Sequence, residues 1–239
     1  MRLVGHKGAD RIRPGNTLES FEAAVEAGVD TIEFDVLWRP DGHPKMEAAE
    51  RSPLVVAHDW RDARRRSPLT LTEALDAFTR APLDRVEIDC DVKLPGREEE
   101  LAEALAERGL LERAMVSTME LSTLERLRRL EPDLRRGWTY PKVSRDWTSK
   151  RWAFPLVLAG LALMRRRAPA LAAGELPRMG VEAMWVYHPV ITPRLVASTR
   201  GAGVELIAWT VDDLKTMRRL AEIGVDGICS NDPRLFAEL

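Results

Sequence analysis

The run Thr31-Ile32-Glu33-Phe34-Asp35-Val36 sets acidic residues at alternate positions in an otherwise apolar stretch. Side chains two apart in an extended strand share a face, so Glu33 and Asp35 lie on one side and Ile32, Phe34 and Val36 on the other. Neighbouring carboxylates in a closed interior repel each other and lose hydration, and a hard divalent cation is the simplest remedy. A second run repeats the device: Glu87, Asp89, Asp91 and Lys93 share one face, with Val86, Ile88, Cys90 and Val92 opposite. Four charged groups cannot all sit deep in an apolar core. The first is expected at the bottom of the fold and the last near its open end, which favours Asp91 and Lys93 as site residues. With Glu33 and Asp35, Asp91 would complete an all-oxygen ligand set that suits Mg²⁺ or Ca²⁺ better than zinc, without separating those two.

Histidine supplies the other half of the chemistry. His6 ends the first strand-like run, and His58 follows Val55-Val56-Ala57 and precedes Asp59. Asp59 is expected to hold the His58 ring in one tautomer or to act on it by charge. A lone histidine after a strand is more often structural; two beside a carboxylate cluster fit acid and base roles, because imidazole trades a proton near neutral pH. His43 lies in a polar stretch and has a weaker claim. His188 ends a strand and is retained as a pocket residue.

These side chains need a scaffold that brings strand ends together. Strand-like runs are read near Leu3 to His6, Asp30 to Leu37, Asp84 to Lys93, Ala114 to Thr118, Leu134 to Thr139, Ala183 to Tyr187, Glu205 to Val211 and Asp226 to Ser230. Helical patterns separate them: Thr17 to Ala27 opens on a threonine cap and stops at Gly28, Glu98 to Arg108 stops at Gly109, and Asp212 to Ile223 stops at Gly224. Strand and helix in alternation imply a parallel sheet, and about eight such units close a TIM-type (β/α)8 barrel, whose active sites lie at the C-terminal ends of the strands. The expectation is a single domain over residues 1–239, with loop insertions at about 39–53 and 141–180. Leu54 to Ala57 is read as a short extended piece of an elaborated loop. Trp152 to Met164 is almost wholly apolar and precedes Arg165, Arg166 and Arg167. At about thirteen residues it is too short to cross a bilayer. It is read either as a helix packed on the barrel or as an interfacial lid with its arginines at headgroup level, giving weak membrane contact through 152–167.

The 239 residues carry 45% hydrophobic and 31% charged side chains, enough to bury a large core. A net charge of −2 gives no global attraction to nucleic acid. Cys90 and Cys229 each fall in apolar strands and are expected to be buried thiols rather than a disulfide. Because a strand begins almost at Met1, no leader is expected, and the location implied is cytoplasmic, with possible membrane association.

The order of the motifs is similar to the glycerophosphodiester phosphodiesterase family: Gly5-His6-Lys7-Gly8, Pro14-Gly15-Asn16-Thr17, Glu33-Phe34-Asp35, Asp41-Gly42, His58-Asp59, Asp91-Val92-Lys93, Ala208-Trp209-Thr210-Val211 and Gly224-Val225-Asp226-Gly227. The resemblance spans nearly the whole chain apart from the insertions. It implies His6 and His58 as the general acid and base pair, and Glu33, Asp35 and Asp91 as ligands of a divalent cation, Mg²⁺ or Ca²⁺. Lys93 would neutralise charge developing on phosphate, and Trp209 would line the pocket. Asn16 would hold its loop or contact the phosphate. Lys7 stands where the family usually has Arg, so a bidentate fork becomes a point charge. Gly15 replaces a common acidic residue, and Asp91 replaces a more usual Glu; Asp89 and Glu87 stay open as the third ligand. The substrate implied is a small glycerophosphodiester. The rivals are a lysophospholipid cleaved by the same chemistry, with the apolar insert receiving the acyl chain, and a catalytically silent barrel that binds a phosphate-bearing ligand or a membrane surface.

Overall fold

The computed structural model describes residues 1–38, 52–142 and 154–239. Most of the excursion expected over 39–53, with His43 and the Asp41-Gly42 pair, lies outside the described residues, as does Trp152. Eight parallel strands form the barrel: β1 (Arg2–His6), β2 (Thr31–Leu37), β4 (Glu87–Val92), β5 (Ala114–Thr118), β6 (Arg135–Tyr140), β7 (Ala183–Tyr187), β8 (Glu205–Trp209) and β9 (Gly227–Ser230). Each pairs with its neighbours in parallel, and β1 closes the ring by pairing with both β9 and β2. The short strand β3 (Val55–Val56) lies antiparallel on the end of β2, with Val36 opposite Val56. Its strand partner explains how the chain returns from the loop after β2 and delivers His58 above Asp35. The third barrel strand starts later than its sequence pattern implies, because Leu83–Arg85 is a 3-10 turn.

Alternation along the strands separates two apolar layers. Ile32, Phe34, Val36, Ile88 and Cys90 face outward into the core between sheet and helices, where Phe21, Phe34 and Phe78 pack with ring centroids 5.4–5.6 Å apart. Val4, Met115, Ala183, Trp185, Ile207 and Cys229 fill the barrel interior. Both cysteines are free and buried. At the N-terminal end of the strands, Arg2 and Arg135 each pair with Glu87 and with Glu205. Alternating signs around this ring satisfy charges that would be costly alone, and the ring commits Glu87 to the bottom of the barrel.

Helix α1 (Leu18–Glu26) opens on a capping box of Thr17 and Ser20; α2 (Trp60–Arg65) and α3 (Leu71–Phe78) follow β3. The remaining crossovers are α4 (Glu98–Glu107), α5 (Leu121–Leu130), α6 (Phe154–Met179), α7 (Pro193–Gly201) and α8 (Leu214–Ile223). The described part of the expected apolar segment, Phe154 to Met164, is the start of α6, a helix of 26 residues. The arginines do not end it, because Ala168, Ala172 and Leu176 continue as a buried stripe against the barrel. Its lower half is the ordinary crossover between β6 and β7, so the span 141–180 is not wholly an insertion. No helix among the described residues is long and apolar enough to cross a membrane.

Candidate active site

Register brings the polar residues to one mouth. His6 is level with Glu33 across β1 and β2, and Asp35 is level with Asp91 across β2 and β4. Carboxylate oxygens of Glu33, Asp35 and Asp91 all lie within 4.8 Å of one another. The ammonium of Lys93 lies against both Asp35 and Asp91. Asp89, one layer deeper, accepts a 2.7 Å hydrogen bond from the Ser117 hydroxyl. Of the four charged residues on the β4 face, Asp91 and Lys93 therefore join Glu33 and Asp35, while Glu87 lies at the opposite end.

Burial dominates the electrostatics. It pushes Glu33 well above the usual carboxylate range, with the charge of Asp35 adding to the shift. For Asp35 burial acts in the same direction, but Lys93 and the hydrogen bond from His58 outweigh it and hold this carboxyl well below that range. Burial raises Asp91 against the opposing pull of Lys93. Burial would lower Lys93, yet Asp35 and Asp91 overcome it and keep the ammonium charged. Asp35 Oδ1 is buried and accepts no directed hydrogen bond, although the Lys93 charge lies beside it. An all-oxygen donor set with an under-coordinated buried carboxylate fits a hard divalent cation.

A loop of unusual backbone holds this cluster from one side. Lys7 and Asn16 both have left-handed backbones, φ 52° and 61°. The Lys7 amide donates to Glu33 Oε2 at 2.9 Å, and the Lys7 ammonium pairs with Asp10 at 2.8 Å. Asn16 is 1% exposed, donates to Asp35 Oδ2 at 2.7 Å and accepts from the Asp35 amide at 3.1 Å. Its side chain thus fixes Asp35 from behind. Gly8 makes the turn possible: its φ is +83°, and a Cβ there would lie 2.6 Å from the backbone of Ser20. Gly8→Ala is expected to cost more than about 2 kcal/mol of stability, from left-handed strain and overlap together. A urea midpoint unchanged from that of the parent would contradict this account of the loop.

Each histidine has a defined setting. His6 Nδ1 is 2.6 Å from Asn231 Oδ1, and its Nε2 is 3.9 Å from Glu33. Asn231 donates from Nδ2 to Asp212 at 2.8 Å, and a carboxylate there can only accept. That fixes the amide orientation, so Nδ1 of His6 carries the hydrogen and Nε2 presents its lone pair to the cluster. Burial, helped by Lys7, lowers His6 to about 4. His58 has a side chain 56% exposed, with Nδ1 3.3 Å from Asp35. Asp59 makes no hydrogen bond to the ring and acts on His58 by charge alone; its carboxylate caps α2 by accepting from the amides of Arg61 and Asp62. The residue that steadies His58 is Asp62, which accepts from its backbone amide at 3.3 Å and pairs with Arg66. Arg66 in turn donates to the carbonyls of Gly15 and Asn16, tying the two loops together.

Asn231 and Asp212 are the residues that strand patterns alone left unnamed. The available signal was position, since Asn231 directly follows β9 at the end of the barrel where His6 and Lys93 also emerge. At that rim Trp209 lies 5.7 Å from Tyr187, which is 5.4 Å from His188. The Trp209 indole N–H is buried without a partner. Burial, followed by the charge of Arg219, lowers His188.

Comparison with known proteins matches this arrangement to one family. The sequence profile of the glycerophosphoryl diester phosphodiesterase family matches residues 6–47 and 63–235. His58 lies between the matched stretches, so its placement rests on its contact with Asp35. The chain is 26% identical over 260 residues to a glycerophosphodiester phosphodiesterase of Caldanaerobacter subterraneus subsp. tengcongensis, covering 99% of this chain and 96% of that protein. Among solved structures, a glycerophosphodiester phosphodiesterase from Parabacteroides distasonis superposes with a TM-score of 0.73 at 19% identity, covering 99% of this chain and 97% of the other. An Oleispira antarctica phosphodiesterase, determined with the product sn-glycerol-3-phosphate, gives 0.68 at 18% identity over 100% and 96%. This chain belongs to the glycerophosphoryl diester phosphodiesterase family and is a phosphoric diester hydrolase.

Proposed function

We propose that the protein hydrolyses small glycerophosphodiesters to glycerol 3-phosphate and an alcohol, with Mg²⁺ or Ca²⁺ held by Glu33, Asp35 and Asp91. The observation that carries this reading is the approach of two imidazoles, His6 and His58, to a three-carboxylate cluster at the mouth of a barrel. A divalent cation held by these three carboxylates would supply Lewis-acid polarisation of a phosphoryl oxygen. Lys93 adds a fixed positive charge beside it. His6, with Nε2 unprotonated and aimed at the cluster, acts as general base on the attacking hydroxyl, either the neighbouring glycerol hydroxyl or water. His58 directs Nδ1 at Asp35 and leaves Nε2 facing the mouth, where it protonates the departing alcohol as general acid. Trp209 and His188 line the entry, with Trp209 offering an unpaired indole donor. Lys7 contributes a point charge on the side of the pocket that includes Glu33, while Asn16 keeps Asp35 in position.

A second reading, cleavage of lysophospholipids by the same groups, is favoured by the exposed apolar start of α6 beside this mouth. Parallel assays of glycerophosphocholine and lysophosphatidylcholine separate the two. Release of glycerol 3-phosphate from glycerophosphocholine with kcat/KM at least about tenfold above that for the lysophospholipid is expected, which corresponds to roughly 1.4 kcal/mol of discrimination. Release of lysophosphatidate with no glycerol 3-phosphate would replace the first reading by the second.

A further inference from the structure

Helix α6 is far longer than the barrel it spans. Its lower end is fixed by Arg136 at the start of β6, which donates to the carbonyl of Gly180. Higher up, Arg165 donates to the carbonyl of Pro189 at 2.8 Å, level with the end of β7 and therefore with the catalytic rim. Residues 165–179 cover the barrel height, about 22 Å, and the preceding stretch from Phe154 to Met164 adds about 16 Å, its last turns still packed on the core through Leu161 and Met164. This stretch, Phe-Pro-Leu-Val-Leu-Ala-Gly-Leu-Ala-Leu-Met, contains no charged residue. None of its residues is buried, and Phe154, Leu156, Leu158 and Leu163 are 61%, 66%, 49% and 49% exposed. Arg165, Arg166 and Arg167 follow at its base, all exposed.

We propose that the projecting tip of α6 docks onto an anionic phospholipid surface, its apolar turns entering the headgroup and acyl boundary and its three arginines meeting the lipid phosphates. The distribution of apolar side chains selects this occupant. Val157, Gly160, Leu161 and Met164 form the half-buried side, and the exposed remainder, apolar over more than half of the helix circumference, is wider than the single stripe that a second copy or another protein would cover. Its length suits insertion into one leaflet and not a crossing, which needs about twenty residues. The basic collar complements phosphate at the depth where the apolar run ends. The hydrogen bond from Arg165 to the carbonyl of Pro189, just after β7, places the collar beside the mouth. Docking therefore turns the open end of the barrel toward the bilayer. That orientation rests on the reading of the mouth as the active site, but the docking does not.

Co-sedimentation of the full chain with vesicles tests this, comparing phosphatidylcholine alone with equal parts phosphatidylcholine and phosphatidylglycerol. The parent chain is expected to sediment with the mixed vesicles and to be released by high salt. Leu156→Glu with Leu158→Glu should weaken binding by about a hundredfold, and Arg166→Gln with Arg167→Gln by about tenfold. Both variants should hydrolyse soluble glycerophosphocholine at the parent rate, so loss of hydrolysis in the parent would count against the proposed function and leave the docking result standing. Three outcomes would overturn the inference: no sedimentation with mixed vesicles, equal binding by the leucine variant, or a dimer in sedimentation velocity without lipid that dissociates on the same substitutions.

Discussion

His6→Ala and His58→Ala each lower kcat for glycerophosphocholine by about a hundred- to ten-thousandfold, the range over which a positioned acid or base contributes. Both variants remain folded, for different reasons. The His58 side chain is half exposed and makes its chief contact with Asp35, so its removal leaves little cavity. His6 is enclosed, and its loss leaves Asn231 Oδ1 without a partner, which costs about 1–3 kcal/mol. The two substitutions should also differ in acid. His6 is held at about 4 in the folded protein against 6.5 in the unfolded chain. The unfolded chain therefore takes up the proton first, and His6 withdraws stability as pH falls from 6.5 toward 4. In His6→Ala that acid sensitivity is reduced. Near-normal turnover of either purified variant would remove the corresponding histidine from the mechanism.

The pattern of the sequence carried most of the scaffold because a parallel barrel strand is short, β-branched and bounded by helix signals. The runs ending at His6, Leu37 and Lys93 show this directly, and period-two alternation placed Glu33, Asp35 and Asp91 on the interior face. What stayed illegible depends on contacts between distant segments. Nothing local marks Asn231 as the partner of His6, since the two lie at opposite ends of the chain and meet only when β9 pairs with β1. Asp59 looked like the orienting carboxylate for His58 because it is adjacent, but an aspartate before a helix satisfies free amides more readily than it reaches a neighbouring ring. The length of α6 was hidden because the apolar run gives way to Arg165, Arg166 and Arg167 after Met164. Packing of Ala168, Ala172 and Leu176 on the barrel overrides those local signals.

Cation removal should have an effect at least as large as loss of a histidine. Without a divalent ion the cluster must balance its charge through Lys93 and through protonation of Glu33, whose carboxyl is already pushed up by burial and by Asp35. Phosphoryl polarisation is then lost, a term of several kcal/mol or about a thousandfold in rate. Because the ligands must be deprotonated, binding of the ion releases protons, and recovery should need more metal at lower pH. Asp35→Asn is expected to respond differently from the parent. It keeps a similar shape beside Asn16 but removes the charge that faces Lys93 and the ion, so added metal should restore little of its activity.

The central claim is tested most directly by glycerophosphocholine hydrolysis with chelator-stripped protein, before and after Mg²⁺ or Ca²⁺ is returned. Activity that falls by about a thousandfold on stripping and recovers with one of these ions, but not in Asp35→Asn, is the predicted result. Turnover that is unchanged by stripping would contradict a catalytic cation at Glu33, Asp35 and Asp91.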